Sequence, residues 1–123
     1  MMSSDSPSVL VVDDEAVMVM LLQVRLRAGG FEVVGTASSK EEAISVALDT
    51  NPDYIVMDIR LTDSGDGIEA AQEIMSRIKT KVIFISGYSD GEIKSRAMAL
   101  NPVGYLVKPF DASEVISMIT QDE

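Results

Sequence analysis

The chain of 123 residues contains neither cysteine nor histidine. Without thiols it has no disulfide, no cysteine nucleophile and no cysteine-ligated zinc. Without imidazole it is excluded as a phosphohistidine donor, a Ser-His hydrolase or a histidine-ligated metal protein. Whatever chemistry it performs has to run on carboxylates, hydroxyls and amines. Cations are scarce too: ten Lys and Arg stand against twenty Asp and Glu, a net charge of −10. Such a surface repels nucleic acid and anionic lipid, so no direct nucleic-acid partner and no membrane partner are expected. The start, residues 1–8, lacks the basic and apolar parts of a signal peptide, and no run reaches membrane-spanning length. A cytoplasmic location is the default expectation.

Apolar residues make up 46% of the chain and charged residues 24%, the balance of a soluble globular protein of one domain. Residues 1–7 are polar, carry Pro7 and read as a flexible tail, leaving 8–123 as the domain. Strand-like and helix-like segments then alternate. Strands are predicted near 8–13, 31–37, 53–58, 81–86 and 103–107, and helices near 15–29, 39–50, 67–78, 91–100 and 111–121. The first, third and fourth strands are continuous aliphatic runs, as in parallel strands buried on both faces. The second is mixed and the last contains Gly104, which suits sheet edges.

Helix starts carry their own signals. Ser39 with Glu42, Asp66 with Glu69 and Asp111 with Glu114 have the spacing of capping boxes, and Asp90 is a candidate cap. Gly29 and Gly30 close the first helix, with Arg25 and Arg27 at the negative end of its dipole. Asn51-Pro52 and Asn101-Pro102 break helix from strand. Right-handed crossovers give a doubly wound α/β sheet with helices on both faces.

Four of the apolar runs end in polar chemistry. Val9–Val12 leads into Asp13 and Asp14, Tyr54–Met57 into Asp58, Val82–Ile85 into Ser86, and Val103–Val107 into Lys108 and Pro109. The carboxyl ends of parallel strands share one edge of the sheet, where ligands bind. Three carboxylates, a hydroxyl and an ammonium therefore converge. Acidic groups so crowded call for a cation, and carboxylate oxygens suit Mg²⁺, or Mn²⁺ in its place. The set points to phosphoryl transfer onto a carboxylate.

The pattern of Leu10 through Glu15, Val56-Met57-Asp58, Ile85-Ser86-Gly87 and Tyr105 through Phe110 resembles the receiver domain of two-component response regulators. The resemblance spans residues 8 to 121 in the right order. It implies a flavodoxin-like (βα)5 fold, a five-stranded sheet ordered 2-1-3-4-5. It implies that Asp58 takes a phosphoryl group from a sensor histidine kinase or phosphotransfer protein. Asp14, Asp58 and the backbone carbonyl of Arg60 are then the direct Mg²⁺ ligands, with Asp13 acting through a metal-bound water. Lys108, in a cis Lys-Pro turn, and Ser86 meet the phosphoryl group, and Ser86 with Tyr105 forms the switch. The output lies in a downstream protein or in a missing output domain.

Blander readings compete: Asp13 as a helix cap beside a solvated Asp14, Lys108 as a surface lysine, Tyr105 as a packing aromatic. Two rival functions share the chemistry. A haloacid-dehalogenase-type phosphatase also uses an Asp nucleophile and Mg²⁺, but Arg60 stands where its second acid is usual. A degenerate receiver would serve as a constitutive binding module.

One stretch departs from the family pattern, and the first helix is unusual in its own right. The acceptor Asp58 is followed by a long loop to Asp66-Gly67 without proline, with Asp66 read as a cap and Asp63 as a solvated residue. In the first helix, Met18, Leu21, Leu22 and Leu26 suffice for a core stripe, yet Val17, Met20 and Val24 line a second one at helical spacing. That strip is either a wide buried face or a docking surface for a partner helix. Arg60 and Tyr88, each two residues beyond a site residue, are expected to rim the site and slow dephosphorylation.

Overall fold

The computed structural model describes residues 6–61, 66–87 and 91–123. Strands and helices alternate: β1 (Ser8–Val12), α1 (Ala16–Ala28), β2 (Glu32–Ala37), α2 (Lys40–Thr50), β3 (Tyr54–Asp58), α3 (Gly67–Met75), β4 (Lys81–Ser86), α4 (Gly91–Met98), β5 (Gly104–Val107) and α5 (Ala112–Asp122). The strands form one parallel sheet in the order β2-β1-β3-β4-β5, a flavodoxin-like doubly wound fold. The mixed second strand and the Gly-containing last strand are indeed its edges. Pro7 already belongs to this frame, its carbonyl accepting from the Glu32 N–H at 3.0 Å.

The period-two alternation of the aliphatic runs divides the core between the two faces of the sheet. Leu10, Val12, Ile55, Met57, Val82 and Phe84 pack with residues of α2, α3 and α4, including Ala43, Ala47 and Ile74. Val9, Val11, Val56, Ile83 and Ile85 pack with Leu22 and Leu26 of α1 and Val115 and Ile119 of α5. Each such buried Leu or Ile side chain contributes about 1.5–3 kcal/mol relative to exposure. Gly104 in β5 leaves the room that the Met118 side chain fills.

The caps are simpler than their spacing suggests. Of the three pairs with that spacing, only Asp111 and Glu114 complete the reciprocal box, the Asp111 N–H donating to the Glu114 carboxylate at 2.9 Å. Ser39 Oγ accepts from the Glu42 N–H at 3.1 Å, but the Glu42 carboxylate turns to the Ser38 N–H at 2.8 Å. Asp66 accepts from the Glu69 N–H at 2.8 Å, while Glu69 pairs with Lys40 across to α2 at 3.5 Å. In both helices a nearby partner outcompetes the N-cap N–H for the acid. The cap expected at Asp90 lies outside the described residues. Asn51 and Asn101 take the left-handed conformation, φ 49° and 54°, where the chain leaves α2 and α4.

The core stripe of α1 differs from its expectation at Leu21, which is 50% exposed. Leu22 and Leu26 are the buried pair, joined by the partly buried Met18 and Val19. Leu21 precedes Leu22 by one residue, roughly 100° around the helix, and so leaves the buried face. It joins Val17, Met20 and Val24, which are 81%, 65% and 59% exposed.

Candidate functional site

The carboxyl edge of the sheet gathers the side chains that the strand ends announced. Asp13 extends β1, its N–H donating to the Ala37 carbonyl at 3.0 Å, and Lys108 extends β5, its N–H donating to the Ser86 carbonyl at 2.8 Å. Asp58 ends β3 opposite Ile85, and Ser86 ends β4 opposite Val107. Asp13, Asp58 and Ser86 are buried, while Asp14 is exposed. An open cleft of about 400 Å³ lies over this edge, lined by Asp14, Glu15, Asp58, Arg60, Gly87 and Lys108.

One carboxylate oxygen from each of Asp13, Asp14 and Asp58 lies within 4.8 Å of the other two. The Lys108 ammonium stands 3.2 Å from Asp13 Oδ2, 3.2 Å from Asp58 Oδ2 and 2.9 Å from Glu15 Oε1. Its Lys108–Pro109 bond is cis, as the resemblance implied. Asp58 Oδ1 accepts from the Arg60 N–H at 3.2 Å, and Asp13 Oδ1 accepts from the Glu15 N–H at 2.9 Å. Asp13 thus braces the turn before α1 but does not cap it, the N-cap being Glu15 with no side-chain cap hydrogen bond, and it still presents its second oxygen to the cluster. That oxygen, Oδ2, is buried without a hydrogen-bond partner among the described residues. The lysine at 3.2 Å is close enough for charge attraction but is not aligned to donate to it.

These surroundings shape the charges. Burial, reinforced by the neighbouring Asp13 charge and only partly offset by Lys108, pushes the Asp58 carboxyl up to about 7. Burial works against the Lys108 ammonium. The Glu15 hydrogen bond and the charges of Asp58 and Asp13 outweigh it, so its pKa is raised and it stays protonated. Two adjacent buried carboxylates with an unsatisfied oxygen, beside an exposed third, form a hard-oxygen donor set that fits Mg²⁺ or Mn²⁺.

Tyr105 packs against the α2–α4 side of the core, with the Lys94 ammonium of α4 5.7 Å from its ring centre. Its hydroxyl is buried with no hydrogen-bond partner among the described residues. Arg60 is exposed at the cleft rim; Tyr88 and Asp63 lie outside the described residues. Two contributors carried no role in the sequence reading. Glu15 pairs with a lysine 93 residues away, which no local pattern reveals. Gly67 packs against the Asp58 backbone, and its N–H donates to the Ile59 carbonyl at 2.7 Å. The Asp66-Gly67 dipeptide was its only signal.

The comparisons with known proteins agree with this fold. The family model described as the response regulator receiver domain matches residues 9–120. The transcriptional regulatory protein PdtaR of Mycobacterium tuberculosis is 37% identical over 111 residues, 90% of this chain and 54% of that protein. The chain therefore spans about half the length of this curated relative. The signal receiver domain of a modulated diguanylate cyclase from Desulfovibrio desulfuricans superposes with a TM-score of 0.88 at 35% identity, covering 95% of this chain and 93% of that one. CheY of Borrelia burgdorferi, solved in a complex with CheX, BeF3 and Mg²⁺, matches with a TM-score of 0.84 at 27% identity, covering 94% and 87%. No helix among the described residues is long and apolar enough to cross a membrane.

Proposed function

This chain belongs to the response regulator receiver domain family, and from its site we propose that Asp58 is the phospho-acceptor of a two-component signalling switch. The observation that carries the reading is the pairing of buried Asp13 and Asp58 with the Lys108 ammonium 3.2 Å from each. A carboxylate crowded by another carboxylate and a fixed cation is built for a reaction in which negative charge accumulates.

In the proposed transfer, an Asp58 oxygen attacks the phosphorus of a phosphohistidine on a sensor kinase or phosphotransfer protein. The P–N bond breaks, its electrons return to the imidazole, and an acyl phosphate remains on Asp58. The Arg60 N–H on Oδ1 fixes the carboxylate plane, so attack is presented in one orientation. Lys108 stays charged and follows the phosphoryl oxygens as they arrive. Asp13, Asp14 and Asp58, with the Arg60 carbonyl, would hold Mg²⁺, which when bound neutralises the anionic acceptor and phosphoryl oxygens. The Borrelia complex containing BeF3 and Mg²⁺ supports this cation.

Ser86 ends the strand next to the acceptor and would donate its hydroxyl to a phosphoryl oxygen, drawing the following segment inward. Tyr105, whose buried hydroxyl lacks a partner among the described residues, then has an energetic reason to change position. The kinase-side contact falls to the exposed Val17–Met20–Val24 strip of α1. Incubation with acetyl phosphate tests the reading: a phosphorylated species should form with Mg²⁺ and fail to form with EDTA. Equal labelling under both conditions would exclude the proposed metal role.

A further inference from the structure

Among the partners of Lys108, the nearest is the one outside the acidic trio. The ammonium is 2.9 Å from Glu15 Oε1, against 3.2 Å to Asp13 Oδ2 and 3.2 Å to Asp58 Oδ2. Three carboxylates share its charge: the ammonium donates to Glu15 and Asp58, while Asp13 attracts it without an aligned hydrogen bond. Two of these, Asp13 and Asp58, are also members of the oxygen cluster suited to a divalent cation. Lysine and cation therefore claim the same two carboxylates, and a divalent ion there repels the ammonium. Glu15 is not one of the clustered acids, and its side chain is 61% exposed against 1% for Asp13 and 4% for Asp58. It can keep its lysine contact whatever occupies the buried pair.

Resting on the reading of that trio as a metal site, we propose that Glu15 is a positioning residue that retains the Lys108 ammonium at the cleft rim when a divalent cation claims Asp13 and Asp58. Its effect runs through the lysine. With Glu15 present, the ammonium gives up two carboxylates and keeps the third, so admitting the cation costs less. The lysine also stays beside the acceptor, within reach of a phosphoryl group. Without Glu15 the ammonium relies on Asp13 and Asp58 alone and competes harder for them. Glu15 reaches Lys108 across the gap between the β1 and β5 ends, so the pair also ties the two sides of the cleft.

The test is a double-mutant cycle read by Mg²⁺ binding alone, using calorimetry on the parent, Glu15→Gln, Lys108→Met and the double variant. Thermal melts establish that each variant is folded. Glu15→Gln is expected to weaken Mg²⁺ binding about two- to fivefold, the scale of a solvent-exposed ion pair. Lys108→Met should strengthen binding, because a competing cation is gone. In the Lys108→Met background, Glu15→Gln should change nothing further. Equal weakening in both backgrounds would overturn the proposal, since Glu15 would then act by its charge alone, and so would no weakening in either. A parent that binds no Mg²⁺ at millimolar concentration would overturn the metal-site reading itself, and the proposal with it.

Discussion

Gly67 lies so close to the backbone of Asp58 that a β-carbon at that position would overlap the Asp58 carbonyl oxygen. The first residue of α3 thus packs directly on the end of the acceptor strand, and its N–H donates to the next carbonyl, that of Ile59. A side chain there must push strand or helix aside.

Gly67→Ala is accordingly expected to cost about 1–3 kcal/mol, the usual penalty for overpacking a close-packed site. It should also misplace Asp58, so acetyl-phosphate labelling falls together with the melting temperature. Thermal unfolding and labelling of the same sample check this. A variant with the parent's stability and labelling would show that α3 gives way freely.

Asp58 gives a second expectation, for the metal-free protein. Its folded-state pKa is raised from 3.8 to about 7, so between these values the folded protein holds a proton that the unfolded chain has lost. Stability must therefore fall as pH rises through that window and stay low above it. Asp58→Asn removes the titration. With EDTA at pH 8 the variant should melt above the parent. The gap should close toward pH 4 and shrink when Mg²⁺ is added. A parent stability that does not decline relative to the variant across this range would contradict it.

The α1 strip gives a third. Val17 and Met20 are 81% and 65% exposed, so replacing both with Ser should change stability by no more than about 0.5 kcal/mol per site. Labelling from acetyl phosphate should be unchanged, while transfer from a phosphorylated cognate kinase should slow. The paired assay separates docking from chemistry: equal transfer rates for parent and variant would remove the strip from the kinase contact.

Much of this was legible because parallel sheets write their topology in composition. Continuous aliphatic runs marked β1, β3 and β4 as interior, and each polar residue closing a run reached the same edge of the sheet. Asp13, Asp58, Ser86 and Lys108 could be brought together from strand ends alone. Pairing across the fold could not be read this way. Glu15 and Lys108 are 93 residues apart, and nothing in either neighbourhood specifies the other. Leu21 failed for a related reason: in a helix apolar on several sides, composition does not say which stripe faces the sheet. The acids of the apparent capping boxes at Glu42 and Glu69 likewise found partners that spacing does not encode, Ser38 and Lys40.

Location of the phosphoryl group tests the central claim most directly. The parent is treated with acetyl phosphate and Mg²⁺, the acyl phosphate is trapped with borohydride, and the reduced residue is mapped by peptide mass spectrometry. The account predicts conversion at Asp58 alone, abolished in Asp58→Asn. Modification at Asp13 or Asp14, or label persisting at the parent level in Asp58→Asn, would contradict it.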